Sequence, residues 1–176
     1  MVTEDIAQRV RSYMQHQATK SREAIIDLVS KSQVRYLDVI SSLDDSIAAK
    51  KPAADEWSVR ELTRHVISAQ DGVANIIARI SRGQRPAPGE SPRGPGLMAD
   101  DDRRPFAAYV EEVRAVNAKV LDTIRSLPSD ADIDTKLTVP HPFFGELNCL
   151  EWAIFQRVHD EDHVQHSQKI LAAVAG

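Results

Sequence analysis

The sequence predicts an all-α fold: a four-helix bundle with long inter-helix connections and an added helix at the N-terminus. Three observations carry this. Apolar residues recur at helical spacing in long stretches. Two of those stretches open with a Ser/Asn-x-x-Glu cap. Strand-favouring residues form no alternating run of useful length. The 176 residues suit one domain with a full core, and 42% apolar with 27% charged residues is ordinary for a globular chain. Because only 5% of residues are aromatic, that core is built mainly from Leu, Ile, Val and Ala.

Thr3 followed by Glu4 and Asp5 is a helix start, a hydroxyl cap with two carboxylates near the positive end of the dipole. Ile6, Val10, Tyr13 and Met14 continue at helical spacing, and Ile25, Leu28, Val29, Tyr36, Leu37, Ile40 and Leu43 keep the period. No Pro or Gly separates the two runs; we expect a short helix that breaks near His16–Ser21, then a longer one. Residues 1–20 are accordingly an N-terminal extension, and 21–176 are the bundle domain. Lys51-Pro52 ends the second run, since a residue before proline avoids the helical well.

Ser58 and Glu61 have capping-box spacing, with Trp57 and Leu62 placed as a hydrophobic staple. Val59, Leu62, Val66, Ala69, Val73, Ile76, Ile77 and Ile80 then form an amphipathic stripe. Gly83 to Asp102 is rich in Pro and Gly and reads as loop, long enough to join two parallel helices or to cover a site. Pro105 suits a first helical turn, and Phe106 to Leu127 mark the next helix. Within the irregular stretch from Pro128 to Gly145, Lys136-Leu137-Thr138-Val139 suits a short extended piece. Asn148 and Glu151 cap the last helix, Leu147 staples to Trp152, and the helix runs to about Val174.

The formal charge of −4 and the lack of a sustained Lys/Arg cluster argue against a nucleic-acid surface. Cys149, the single cysteine, excludes an internal disulfide framework and fits a reducing compartment. No stretch approaches the ~20 apolar residues that span a bilayer. The acidic N-terminus lacks signal-peptide order, so the expected location is cytoplasmic.

On the last helix the inward stripe from Trp152 runs through Phe155, His159, His163 (or Asp162), His166, Ile170 and Ala173. Its ends are apolar and its centre polar, with His159 and His163 one turn apart on one face. On the Ser58-capped helix, His65 interrupts the row between Leu62 and Ala69. An uncompensated buried polar group costs on the order of 1–3 kcal/mol. Three of them on two helices are satisfied together by a divalent metal, which imidazole nitrogens bind at about 2.0–2.1 Å if it is zinc. At about 1.5 Å per residue, antiparallel helices of some twenty-five residues bring His65 within a turn of His163; parallel ones leave it about a turn short of His159. Three histidines leave open positions on the metal, as catalytic sites do.

The same residues carry a family resemblance. Glu56-Trp57-Ser58-Val59-Arg60-Glu61-Leu62-Thr63-Arg64-His65, with Glu151-Trp152 and His159-Asp160-Glu161-Asp162-His163, resembles the DinB/YfiT-like superfamily of metal-binding four-helix bundles, over roughly Ile25 to Ala173. His141-Pro142-Phe143-Phe144-Gly145 also looks like the loop before the last helix in some relatives. The resemblance implies a bundle of DinB/YfiT type with metal ligands at His65, His159 and His163. Activities differ within the family: thiol S-transferases using low-molecular-weight thiols, a thiol-dependent maleylpyruvate isomerase, and proteins assigned as hydrolases. The expectation is therefore an enzyme with one divalent ion (zinc, nickel or iron) that activates a thiol or water against a small electrophilic substrate, with a low-molecular-weight thiol as co-substrate and a homodimer as assembly. The alternative is a non-catalytic, metal-stabilised bundle that binds ligands or dimerises.

Asp162, one turn from His159, either orients an imidazole or is a solvated acid. His166 either assists the metal site as a general base or is a polar residue near the bundle end. His141, in a loop, either approaches the metal or lies at the surface, and the surface is the expectation. Cys149, in a first helical turn, is expected to be packing.

Overall fold

The computed structural model describes residues 3–86 and 104–175. The chain forms α1 (Glu4–Gln17), α2 (Arg22–Ile40), a short α3 (Asp45–Ala49), α4 (Val59–Ile80), α5 (Phe106–Arg125), a hairpin of β1 (Val139–His141) and β2 (Gly145–Leu147), and α6 (Cys149–Val174). The expected break after His16 is present. Ser21 caps α2 by accepting the amide of Ala24, as Thr3 caps α1 through Ile6. Both predicted capping boxes are formed, at Ser58/Glu61 and Asn148/Glu151. Most of the loop expected from Gly83 to Asp102 lies outside the described residues.

Two elements differ from expectation. The extended piece begins at Val139 rather than Lys136 and pairs antiparallel with β2, Val139 opposite Leu147. α3 is an additional turn of helix, too short for a periodic signal. Its Asp45 carboxylate accepts from the Arg60 guanidinium and from the Phe106 amide. Pro105 offers α5 no side-chain cap, so the free N–H at its start is satisfied across the fold instead.

Helices α2, α4, α5 and α6 form the bundle, and the contact order gives their directions. Gln70 meets Asp160 while Trp57 meets His166, so α4 and α6 are antiparallel. Ser32 meets Asp160 and Arg35 meets Glu161, so α2 and α6 are parallel. Arg22 reaches the carbonyls of Leu127 and Pro128 while Gln33 reaches that of Asn117, so α2 and α5 are antiparallel. Hence α4 and α5 run parallel, as one of the two uses expected of a long connection requires.

The core falls into two apolar clusters. One, around Trp152, Ile154, Ile76, Ile77, Ile80, Val120 and Ile124, also takes Met14 from α1. The other holds Tyr36, Leu62, Val66, Phe106, Tyr109 and Ile170. Polar side chains from three helices lie deeply buried as well: Ser32 of α2, Gln70 of α4, and Gln156 and Asp160 of α6. The Asp160 carboxyl meets Ser32 at 3.0 Å and accepts from Gln70 at 3.0 Å and Gln156 at 2.6 Å. These bonds pin α2, α4 and α6 in one axial register.

Helix α1 braces the far end. Arg11 donates to the carbonyls of Phe144 (2.9 Å) and Glu146 (3.4 Å), and Arg157 of α6 lies over the Tyr13 ring. Gly145 has φ +71°, and a Cβ there would stand 2.5 Å from Arg11 Nη1. Gly145→Ala is therefore expected to cost about 1–2 kcal/mol, from left-handed strain and the displaced arginine, and to lower the midpoint of thermal unfolding by several degrees. An unchanged midpoint would show that the clamp contributes nothing.

Candidate metal centre

α4 and α6 bring His65, His159 and His163 together because the two helices are antiparallel and held in register by the Gln70–Asp160 bond. His159 Nε2 lies 3.3 Å from His65 Nε2 and 3.0 Å from His163 Nε2, and one nitrogen from each ring falls within 4.8 Å of the others. Neutral imidazoles cannot satisfy one another fully in this arrangement, since each has one N–H and one lone pair. A cation can. Donors bonded at ~2.0–2.1 Å to one ion stand on the order of 3.0–3.4 Å apart at tetrahedral or octahedral angles, which matches the two shorter separations. The three-imidazole donor set suits a borderline divalent metal rather than calcium or magnesium. No fourth His, Cys, Asp or Glu joins them among the described residues.

The electrostatics keep the rings in the ligating state. Burial, then the neighbouring histidines, hold His159 well below the ordinary imidazole range. Burial, with His65 and His166, brings His163 down to about 3; burial and His166 also lower His65. Nδ1 of His159 and of His163 is buried without a protein hydrogen-bond partner, so the rings are positioned by packing rather than by a carboxylate behind them. Trp57 lies edge-on to His65 at 5.4 Å, and Phe155 lies 5.6 Å from His159.

The remaining candidates are placed differently. Asp162 is exposed, and no hydrogen bond joins it to an imidazole among the described residues. The enclosed acid of that run is Asp160, whose carboxyl burial raises to about 7. Its neighbours are serine and glutamine rather than the cluster. Of the stripe assigned on α6, Trp152, Phe155, His163 and Ile170 are buried, while His166 and Ala173 are exposed; Gln156, Asp160, Val164 and Ser167 are buried beside them. α6 packs against both α2 and α4, so its buried face is wider than one stripe. His166 stacks on Trp57 at 6.4 Å and stands 6.3 Å from His163, at the rim of the cluster.

Two readings of single residues are also settled. His141 is not a surface loop residue: it is half-buried among Phe144, Trp152 and Phe155, and burial brings it down to about 4. The signal that could have found it is its aromatic neighbourhood, Phe143-Phe144 and then Trp152 with Phe155. Cys149 is packing, as expected; it is buried, and that burial pushes its thiol up to about 11.

These shifts predict a pH dependence for the metal-free protein. Histidines with folded pKa values below 6.5 stay neutral in the fold while the unfolded chain takes up protons, so stability falls as pH drops below about 6.5. Asp160 acts in the opposite sense between about 4 and 7, because the folded carboxyl holds its proton longer. One acid is set against four lowered histidines. The urea midpoint is therefore expected to fall between pH 7.5 and 5, and to fall more steeply in Asp160→Asn. A midpoint that rises on acidification would contradict the buried neutral state.

Fold and site together define a helical bundle with a histidine cluster between two antiparallel helices. Residues 28–167 match the family model of the DinB superfamily, and the chain belongs to that superfamily. It is 23% identical to the uncharacterised protein YuaE of Bacillus subtilis (strain 168) over 158 residues, covering 82% of this chain and 96% of that protein. Among solved structures, YfiT from Bacillus subtilis, described as a probable metal-dependent hydrolase with an unusual four-helix bundle topology, superposes with TM-score 0.63 at 13% identity, covering 89% of each chain. TT2238, described as a four-helix bundle protein, gives TM-score 0.56 at 21% identity, covering 85% of this chain and 99% of its own. No helix among the described residues is long and apolar enough to cross a membrane.

Proposed function

We propose that this chain is a metal-dependent enzyme in which His65, His159 and His163 hold one divalent ion, zinc, nickel or iron, and act with it on a small electrophilic substrate by thiol transfer or hydrolysis. The observation that supports this most is the convergence of three imidazole nitrogens at metal-ligand spacing. When bound, such an ion supplies Lewis acidity that lowers the pKa of a thiol or water and polarises an electrophile. The protein supplies the rest. Burial keeps the ligand imidazoles neutral near pH 7, with lone pairs available. Three protein donors leave room for substrate, unlike a closed four-ligand structural site.

Trp57 and His166 border the cluster on one side, and Phe155, His141 and Phe144 on the other. These rings restrict the substrate to a small molecule and limit water around the reacting groups. The description of YfiT favours hydrolysis, and the wider family favours a low-molecular-weight thiol as co-substrate. A reducing, cytoplasmic setting suits such a thiol and the lone buried Cys149.

The test is a turnover screen of zinc-, nickel- and iron-loaded protein, with and without cysteine as thiol donor, against small electrophiles and esters. Metal-dependent turnover is expected, abolished by His65→Ala. X-ray absorption that finds four protein donors and no exchangeable ligand would instead assign the ion a structural role.

A further inference from the structure

His141 stands apart from the three-histidine cluster, yet its ring is fixed beside it. Its Nδ1 accepts the backbone N–H of Phe143 at 3.2 Å and of Phe144 at 3.3 Å. The ring lies nearly parallel to Phe144 (centroids 4.7 Å apart, planes at 17°) and packs against Phe155 at 4.5 Å and Trp152 at 5.5 Å. Phe155 in turn touches His159, so one aromatic side chain separates His141 from the cluster. Arg11 clamps the hairpin that carries it.

This arrangement selects a tautomer. A ring nitrogen that accepts two amide hydrogens presents its lone pair there, so the neutral imidazole carries its single proton on Nε2. Burial favours that neutral form. Nε2 is on the opposite edge of the ring from the turn, and it has no hydrogen-bond partner among the described residues. The result is a donor whose orientation is set before any ligand arrives. It also makes His141 a poor fourth metal ligand, since Nδ1 is engaged and Nε2 carries the hydrogen.

We propose that His141 is a locked Nε2–H donor that binds an acceptor oxygen of the substrate while the reacting atom sits at the His65–His159–His163 centre. The substrate class that follows is a small molecule with a carboxylate or carbonyl oxygen a short chain away from its thiol or electrophilic end. The reacting end of this assignment rests on the proposed function; the locked tautomer does not. His141 is a specificity residue here, distinct from the metal ligands.

Two measurements test it. In metal-free, 15N-labelled protein, long-range 15N–1H correlation spectra report the imidazole tautomer directly, with the His141 signals assigned by their loss in His141→Asn. The Nε2–H form is expected, and an Nδ1–H or averaged ring overturns the proposal. In zinc-loaded protein, calorimetry compares 3-mercaptopropionate with propanethiol, which lacks the carboxylate. The acid is expected to bind about tenfold more tightly, the worth of one hydrogen bond to a charged acceptor. That preference disappears in His141→Asn, whose Oδ1 still accepts the turn amides, and survives in His141→Gln, whose amide N–H reaches further. A preference absent from the wild type, or undiminished in His141→Asn, overturns the donor role. Failure to take up zinc would remove the functional proposal, and the tautomer spectrum would still decide for or against the lock.

Discussion

Replacing His159 and His163 together by alanine is expected to reduce bound divalent metal from about one ion per chain to none, because two of the three protein donors disappear. The single substitution His163→Ala should already lower affinity by at least about a hundredfold, since loss even of a group behind a ligand costs 10–100-fold. Elemental analysis of protein purified without a histidine tag reads the first result, and competition with a chromophoric chelator reads the second. The metal-free variants should stay helical, because both apolar clusters and both capping boxes are left intact. Circular dichroism separates loss of metal from loss of fold. Full metal occupancy in the double variant would mean that the imidazoles converge for another reason.

The second large effect is expected at Asp160, fully buried where α2, α4 and α6 meet. Its carboxyl accepts from the Ser32 hydroxyl on one oxygen and from the Gln70 and Gln156 amides on the other, and the Ser32 hydroxyl also reaches the Val29 carbonyl. Asp160→Ala leaves those partners without Asp160 and is expected to cost about 3–4 kcal/mol in urea denaturation. Asp160→Asn offers one acceptor and one donor in nearly the same shape, and should cost under about 1 kcal/mol. Equal losses in both variants would show that charge, not hydrogen bonding, is what the site requires. Because Gln70 lies on the helix that carries His65, the alanine variant should also weaken metal binding.

Those two sites differ in how far the sequence discloses them. His159 and His163 are one turn apart, so their shared face follows from helix geometry alone. Asp160 sits between them in the chain, and reading the stripe from Trp152 assigns it outward. In the structure the buried face is wider than that stripe, because α6 is covered on two sides, by α2 and by α4. Asp160 is enclosed within it, and Asp162 and His166 lie in solvent. The angular position of a buried face depends on which neighbours cover it, and a single helix does not encode its neighbours.

His141 makes the same point for loops. Its local signal is only the Phe143-Phe144 pair that follows it. Its burial comes from Trp152 and Phe155 on the next helix and from Arg11 on the first, more than a hundred residues earlier in the chain.

From residue order alone come the all-α class, the starts of α1, α4, α5 and α6, both capping boxes, the break before Ser21 and the shared face of His159 and His163. These depend on interactions three or four positions apart, where sequence spacing is spatial spacing. Tertiary structure alone decided the parallel pairing of α4 with α5, the polar network around Asp160, the Asp45 cap on α5 and the locked ring of His141. Each of those joins groups far apart in the chain, and packing free energy rather than local propensity selects which of them meet.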